Sequence, residues 1–167
     1  MVLELRTKLP PSEAESVIAQ IQAITANGHE LTPRPDEKLR AALNNGELIT
    51  VYSGLELVGW GLIEPLTKNC SELGLTYIKP SHRGSAAFEL LSMRMTAIGG
   101  TLLFATYDAG LMSYATRLLG FRPSSLGEFL KVSRGRFVFK RLNRESRKSI
   151  RGRMRTAKPL YGIRVGS

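Results

Sequence analysis

Leu73-Gly-Leu-Thr-Tyr-Ile-Lys-Pro80-Ser-His-Arg-Gly-Ser-Ala-Ala-Phe-Glu-Leu-Leu91 reads as an apolar strand, a proline-containing turn and an amphipathic helix. The turn is small and basic: His82, Arg83, Gly84, Ser85, Ala86 and Ala87. Small residues before a helix leave its first backbone N–H groups open, with the positive end of the helix dipole behind them. A turn of this kind is suited to seat an anion such as a pyrophosphate.

Working outward, the elements fall in a clear order. Val2 to Thr7 alternates and predicts a strand, and Pro10-Pro11-Ser12 opens a helix with the stripe Val17, Ile18, Ile21 and Ile24. Asp36 to Leu43 predicts a second helix. Leu48 to Tyr52 and Glu56 to Ile63 predict strands joined at Ser53-Gly54. Leu73 to Ile78 is the next strand, Ser85 to Ile98 a helix closed by Gly99-Gly100, and Thr101 to Tyr107 a near-continuous apolar strand of the buried kind. Leu111 to Leu119 predicts a helix ended by Gly120. Phe129 to Val132 and Arg136 to Arg141 predict a last hairpin around Arg134-Gly135, and Lys158 to Val165 is apolar enough to pack back as an extended segment.

A chain of 167 residues with 43% hydrophobic and 23% charged residues is long enough for one domain with a real core. No apolar run approaches a membrane span, and Met-Val-Leu-Glu-Leu-Arg at the N-terminus does not read as a signal peptide. No membrane partner and a cytoplasmic location, in a bacterial or phage-infected cell, are therefore expected. The single Cys70 excludes an internal disulfide. Two histidines and one cysteine without paired spacing give no zinc signature, and no metal is expected.

The net charge of +10 is unevenly spread. Residues 140–167 hold ten lysines and arginines against the single acid Glu145, a net +9, and the other 139 residues carry +1. The expected division is a nearly neutral domain at 1–141 and a basic C-terminal extension at 142–167. If Asn143 to Arg155 is helical, then Arg144, Lys148, Arg151 and Arg155 share one face and form a candidate nucleic-acid-binding stripe. Aromatic content there is low, so base stacking is not the expected mode.

The element order β-α-α-β-β-β-α-β-α-β-β, the basic small-residue turn and the late Leu118-Leu119-Gly120-Phe121 resemble the GCN5-related N-acetyltransferase (GNAT) superfamily over roughly residues 2–141. That resemblance implies an α/β (α+β) fold: a mixed, mostly antiparallel, twisted sheet of about seven strands flanked by about four helices. It implies acetyl-CoA or a related acyl-CoA as cosubstrate. The backbone of Thr76, Tyr77 and Ile78 would pair with the pantetheine arm, and His82, Arg83, Gly84, Ser85, Ala86 and Ala87 would hold the pyrophosphate. The implied reaction is direct attack of an amine on the thioester, which needs proximity and a base.

On the acceptor side the resemblance is looser. Many relatives place a tyrosine four residues before the glycine of Gly-Phe, where this chain has Thr116, and Tyr114 lies about 200° round the helix from it. The candidate catalytic residues are Tyr107, Asp108, Ser85 and Glu72, with Glu64 a further possible base. Trp60, between Gly59 and Gly61, reads as core or cleft wall. Pro80 to Leu91 and Ala105-Thr-Tyr-Asp-Ala-Gly, followed by Tyr114-Ala-Thr, also resemble phage Mom-type DNA-modification proteins, which modify adenine in DNA. Three functions stay open: an acyltransferase acting on a protein, peptide or small amine; a Mom-type DNA modifier; and a non-catalytic phage protein that binds nucleic acid.

Overall fold

Alternating strands at the start of the chain, buried apolar strands in the middle and glycine-terminated helices between them build a single hydrogen-bonded sheet. In this computed structural model, which describes residues 2–27, 31–139 and 158–166, the strands are β1 (Leu3–Arg6), β2 (Leu48–Ser53), β3 (Glu56–Thr67), β4 (Cys70–Ile78), β5 (Thr101–Thr106), β6 (Arg122–Ser124) and β7 (Leu160–Arg164). Their order in the sheet is β1-β2-β3-β4-β5-β7-β6. Six helices occur among the described residues: α1 (Pro11–Asn27), α2 (Asp36–Asn44), α3 (Ala86–Thr96), α4 (Ala109–Leu118), α5 (Leu126–Val132) and α6 (Arg136–Phe139), with a 3₁₀ turn at Pro80–His82. No helix among the described residues is long and apolar enough to cross a membrane.

The chain divides into two compact units. The first comprises Met1–Ile63 and Leu75–Met95. Here β1 pairs antiparallel with β2, from Leu3↔Ser53 to Arg6↔Thr50, and β2 pairs antiparallel with β3, with an irregularity at Val51/Tyr52. The apolar stripe of α1 and the buried residues of α2 form one core with Leu48, Trp60, Leu62 and Leu75. On α3, Ala87, Leu91 and Met95 recur at helical spacing and are all buried. A Cβ on Gly61 would lie 2.3 Å from the Met95 sulfur and 3.3 Å from Leu91, so β3 takes glycine where the helix seats on it.

The second unit comprises Glu64–Gly74 and Thr96–Ser167. Cys70–Leu73 of β4 pairs in parallel with Thr101–Phe104 of β5, as the helical crossover between them requires. The segment expected to pack back in extended form is β7, which pairs antiparallel with β5 on one side and with β6 on the other. Gly120 (φ +74°) stops α4, the Phe121 N–H bonds back to the Ala115 carbonyl at 3.1 Å, and Phe121 is buried.

One expected element is corrected. The hairpin expected of Phe129–Val132 and Arg136–Arg141 is not formed by its described part: residues Leu126–Val132 and Arg136–Phe139 are helical, and Lys140 and Arg141 lie outside the described residues. Ser125 caps α5 by accepting from the Glu128 N–H at 3.2 Å. Arg134 (φ +51°) and Gly135 (φ +72°) do make a turn, but one that ends a helix: Arg134 N–H reaches Lys131 O at 3.1 Å and Gly135 N–H reaches Leu130 O at 2.9 Å. The helical path brings Phe129 and Phe137 edge to face at 4.6 Å, in a core with Leu66, Cys70, Leu103 and Ile163. That burial outweighs the strand-like composition of the segment. Phe129→Ala is expected to cost about 3–5 kcal/mol, as for other fully buried aromatics. Leu118→Ala, at a side chain 70% exposed, should leave the urea midpoint unchanged.

Candidate active site

In the first unit the opening stretch folds as a strand, a 3₁₀ turn and a helix, and it gathers all nine residues expected to bind the cosubstrate. Leu75 takes a left-handed backbone conformation (φ +46°) just past Leu73, the last β4 residue in the parallel ladder. A buried leucine with positive φ is strained, and such strain persists only where the surroundings impose it. Gly74–Ile78 thus continue β4 beyond its pairing with β5. Tyr77 stacks on Trp60, with ring centroids 4.5 Å apart, and Thr76 Oγ1 lies 3.9 Å from the Met95 sulfur. The side chains of this segment are engaged with the core, which leaves its backbone as the part able to meet a ligand. Gly59 holds the neighbouring strand close, since a Cβ there would lie 2.8 Å from the Tyr77 carbonyl oxygen. Lys79 N–H donates to the Val58 carbonyl at 2.8 Å, and the Lys79 ammonium pairs with Glu56, lowering the Glu56 pKa.

The turn itself is tightly bonded. His82 N–H reaches Lys79 O at 2.8 Å, Arg83 N–H reaches Pro80 O at 3.2 Å, and Ser85 N–H reaches His82 O at 3.2 Å. The Ser85 hydroxyl donates to His82 O at 2.6 Å and accepts from the Ala87 N–H at 3.2 Å, so it caps α3. The hydroxyl proton expected to serve a phosphate or the chemistry is therefore directed into the turn. The N–H groups of Gly84 and Ala86 have no acceptor among the described residues. Gly84 (φ +82°) has nothing within 4 Å of its Cβ position, and Arg83 is exposed, with only a 3.5 Å contact from Nε to Ile78 O. Two open donors, an exposed guanidinium and a clear approach fit a pyrophosphate.

The remaining candidates lie in the second unit. Glu72 is 2% exposed, and alternation along β4 puts it on the same face as Gly74. Glu64 Oε2 and Glu72 Oε1 lie 3.4 and 3.9 Å from the position of a Gly74 Cβ, so two carboxylates converge over this glycine. Cys70, two residues away on that face, is buried; burial and then the Glu72 charge raise its thiol pKa, so it is no nucleophile. The convergence of Glu64 with Glu72 is legible only once the pairing of β3 with β4 is known. Tyr107 and Asp108 follow β5 directly, Tyr107 partly buried and Asp108 exposed. Asp108 Oδ1 accepts from the Leu111 N–H at 3.0 Å and caps α4, while its own N–H donates to Thr106 Oγ1 at 3.0 Å. Thr116 donates to the Met112 carbonyl at 2.9 Å, which leaves its hydroxyl proton unavailable to a leaving thiolate. Arg144, Lys148, Arg151 and Arg155 lie outside the described residues.

No protein-family model and no curated protein sequence matches this chain. Solved structures do match in fold. N-acetylglutamate synthase from Neisseria gonorrhoeae, complexed with coenzyme A and N-acetyl-glutamate, gives a TM-score of 0.65 at 16% identity over 100% of this chain and 36% of that one. A Mycobacterium tuberculosis protein in complex with CoA gives 0.66 at 12% identity, over 97% and 98% of the two chains. An acetyltransferase of the GNAT family from Bacillus cereus gives 0.57 at 14% identity, over 100% and 99%. This chain thus spans little more than a third of the synthase. The chain shares the fold of these structures, with the mixed seven-stranded sheet that the resemblance implied.

The two caps separate structural from chemical roles. Ser85→Ala and Asp108→Ala should each lower stability by about 0.5–2 kcal/mol, the usual loss of an N-cap. Asp108→Asn keeps a capping oxygen and should leave the thermal midpoint close to that of the unmodified chain. An activity lost in Asp108→Asn alongside an unchanged midpoint then reports chemistry.

Proposed function

We propose that this protein is an acyl-CoA-dependent N-acyltransferase of the acetyl-CoA type. The observation that carries this reading is the strand–turn–helix seat: β4 running past its ladder at Leu73, then Arg83 and the open N–H groups of Gly84 and Ala86 ahead of α3. Acyl-CoA supplies an activated thioester whose carbonyl an amine attacks directly. Arg83 and the turn amides bind the pyrophosphate, and the backbone of Thr76–Ile78 orients the pantetheine arm. In this reading Glu72, beside Glu64, accepts the proton of the incoming amine, and Tyr107, directly after β5, donates one to the leaving thiolate. Ser85 shapes the turn as a cap. Solved structures of this fold complexed with CoA support the cosubstrate in this reading.

A second reading is favoured by the stretch Ala105–Gly110, whose resemblance to Mom-type proteins now falls at the end of β5 and the capped start of α4. In that reading the acceptor is adenine in DNA. The two readings share the seat and differ in the acceptor.

Saturating acetyl-CoA is expected to raise the melting temperature, because a ligand that binds only the native state stabilises it. Arg83→Ala should weaken binding by about tenfold or more, since it removes a charge-assisted bond to phosphate. Absence of any shift in calorimetry at saturating acetyl-CoA would refute the seat. Nucleoside mass spectrometry of DNA from cells expressing the chain distinguishes the acceptors: a mass increase on adenine supports the second reading, and unaltered nucleosides with acetylated amines support the first.

A further inference from the structure

The sheet has two end strands, and they are finished differently. At one end is β6, three residues long with Pro123 at its centre, which has no N–H to offer another strand. At the other is β1, which holds no proline or glycine and keeps a regular register with β2 from Leu3↔Ser53 to Arg6↔Thr50. Among the described residues, the outer edge of β1 pairs with no strand. An edge of this kind is a template for a further strand unless proline, a bulge or net charge blunts it. In β1 the charges of Glu4 and Arg6 cancel, so net charge does not blunt it either.

Alternation along β1 sends Glu4 and Arg6 to one face of the sheet and Leu3 and Leu5 to the other. Leu3 and Leu5 are only half-buried, and Val2, just before the strand, is 84% exposed. On the charged face Arg6 is held in place. Its Nε and Nη2 donate to Glu4 at 2.9 Å, its Nη1 donates to Glu13 at 2.8 Å, and its guanidinium lies 4.4 Å from the centre of the Tyr52 ring. These bonds use three of the five N–H groups of a guanidinium. Among the described residues the other two, one on each Nη, have no acceptor. The edge thus presents a positioned cation with donors to spare, beside a Glu4 whose side chain is 55% exposed.

We propose that β1 is the contact through which two copies of this chain associate, edge to edge and antiparallel, about a two-fold axis at Leu5. The charge pattern selects a second copy as the partner, because one acid and one base two residues apart are complementary to themselves when reversed. In this register Glu4 of each copy faces Arg6 of the other, where the spare guanidinium donors can meet it, and two ion pairs form across the contact. An axis at Glu4 or at Arg6 would instead set like charges face to face. On the opposite face Leu5 meets Leu5 of the other copy, and Leu3 lies diagonally across from it, so the half-buried leucines are covered together. The proposal is independent of acyl transfer and of its acceptor.

The test is sedimentation velocity of the full chain from about 1 to about 100 μM, with amide hydrogen exchange at both ends of that range. The expected result is a species of twice the chain mass that grows with concentration, and slower exchange within Leu3–Thr7 at the higher concentration. Glu4→Arg removes only a surface ion pair from the fold, which costs it little. Across the contact it sets arginine against Arg6 twice, and it should weaken association about tenfold or more. Glu4→Arg with Arg6→Glu reverses the pattern and should restore the affinity to within about threefold. Should loss of the Arg6 bond to Glu13 keep that double variant from folding, Glu4→Arg and the exchange data on the unmodified chain decide the result. A monomer at every concentration would overturn the proposal, as would a dimer that Glu4→Arg leaves intact or a folded double variant that stays monomeric. Exchange within Leu3–Thr7 that is slow at both concentrations would show the edge covered by the chain itself and would overturn it too. Acetyl-CoA melting shifts are read separately, so failure here and failure of the cosubstrate seat are distinct results.

Discussion

Two parallel strands stay paired only while alternate residues of each give their N–H and C=O to the ladder, and in β4 that exchange with β5 stops at Leu73. Leu75, in a left-handed conformation that leucine tolerates poorly, follows at once. Its side chain lies in the first unit's core, and it is this packing that holds the strained backbone in place. The rest of the candidate seat depends on that step: Thr76 and Tyr77 turn their side chains into the protein, and the chain enters the bonded turn that delivers Gly84 and Ala86 to the start of α3. The anion seat is thus the end of a path whose first move is a strained residue four positions before the strand–turn boundary at Lys79.

Helix capping divides the candidate residues in a way that residue type alone does not. Serine, aspartate and threonine beside a site are chemically competent, yet Ser85 and Asp108 accept from helix N–H groups as caps, and Thr116 within α4 donates its hydroxyl proton to the Met112 carbonyl. Glu64 and Glu72 converge over Gly74, and Tyr107 directly follows β5. Cys70, on the same face of β4 as Glu72, is buried, and burial first and the Glu72 charge second raise its thiol pKa.

Much of this was legible in the sequence, because alternation, glycine stops and the basic small-residue turn are local signals. β1 to β5 and α1 to α4 lie within a few residues of where those signals put them. The helical path of Leu126–Phe139 is not legible in the sequence, which reads there as a hairpin, since Phe129, Val132 and Phe137 have strand-like composition and only a shared core with Leu66 and Ile163 decides that they are helical. The turn at Arg134-Gly135 was read correctly as a turn; which elements it joins is a tertiary matter. Short β6 has no local signal, because its three residues, Arg122-Pro-Ser124, carry no apolar alternation and are recruited by pairing with β7. The meeting of Glu64 with Glu72 likewise depends on strand register, which no single strand announces.

The central claim is that the β4 segment after Leu75 and the turn before α3 form one seat for acyl-CoA. Amide hydrogen exchange with and without saturating acetyl-CoA addresses it residue by residue. The account predicts slowed exchange within Thr76–Ile78 and at Gly84–Ala87, with amides in β1 and β2 unaffected. Protection confined to other segments, or no protection at concentrations where acetyl-CoA is shown to bind, would contradict it.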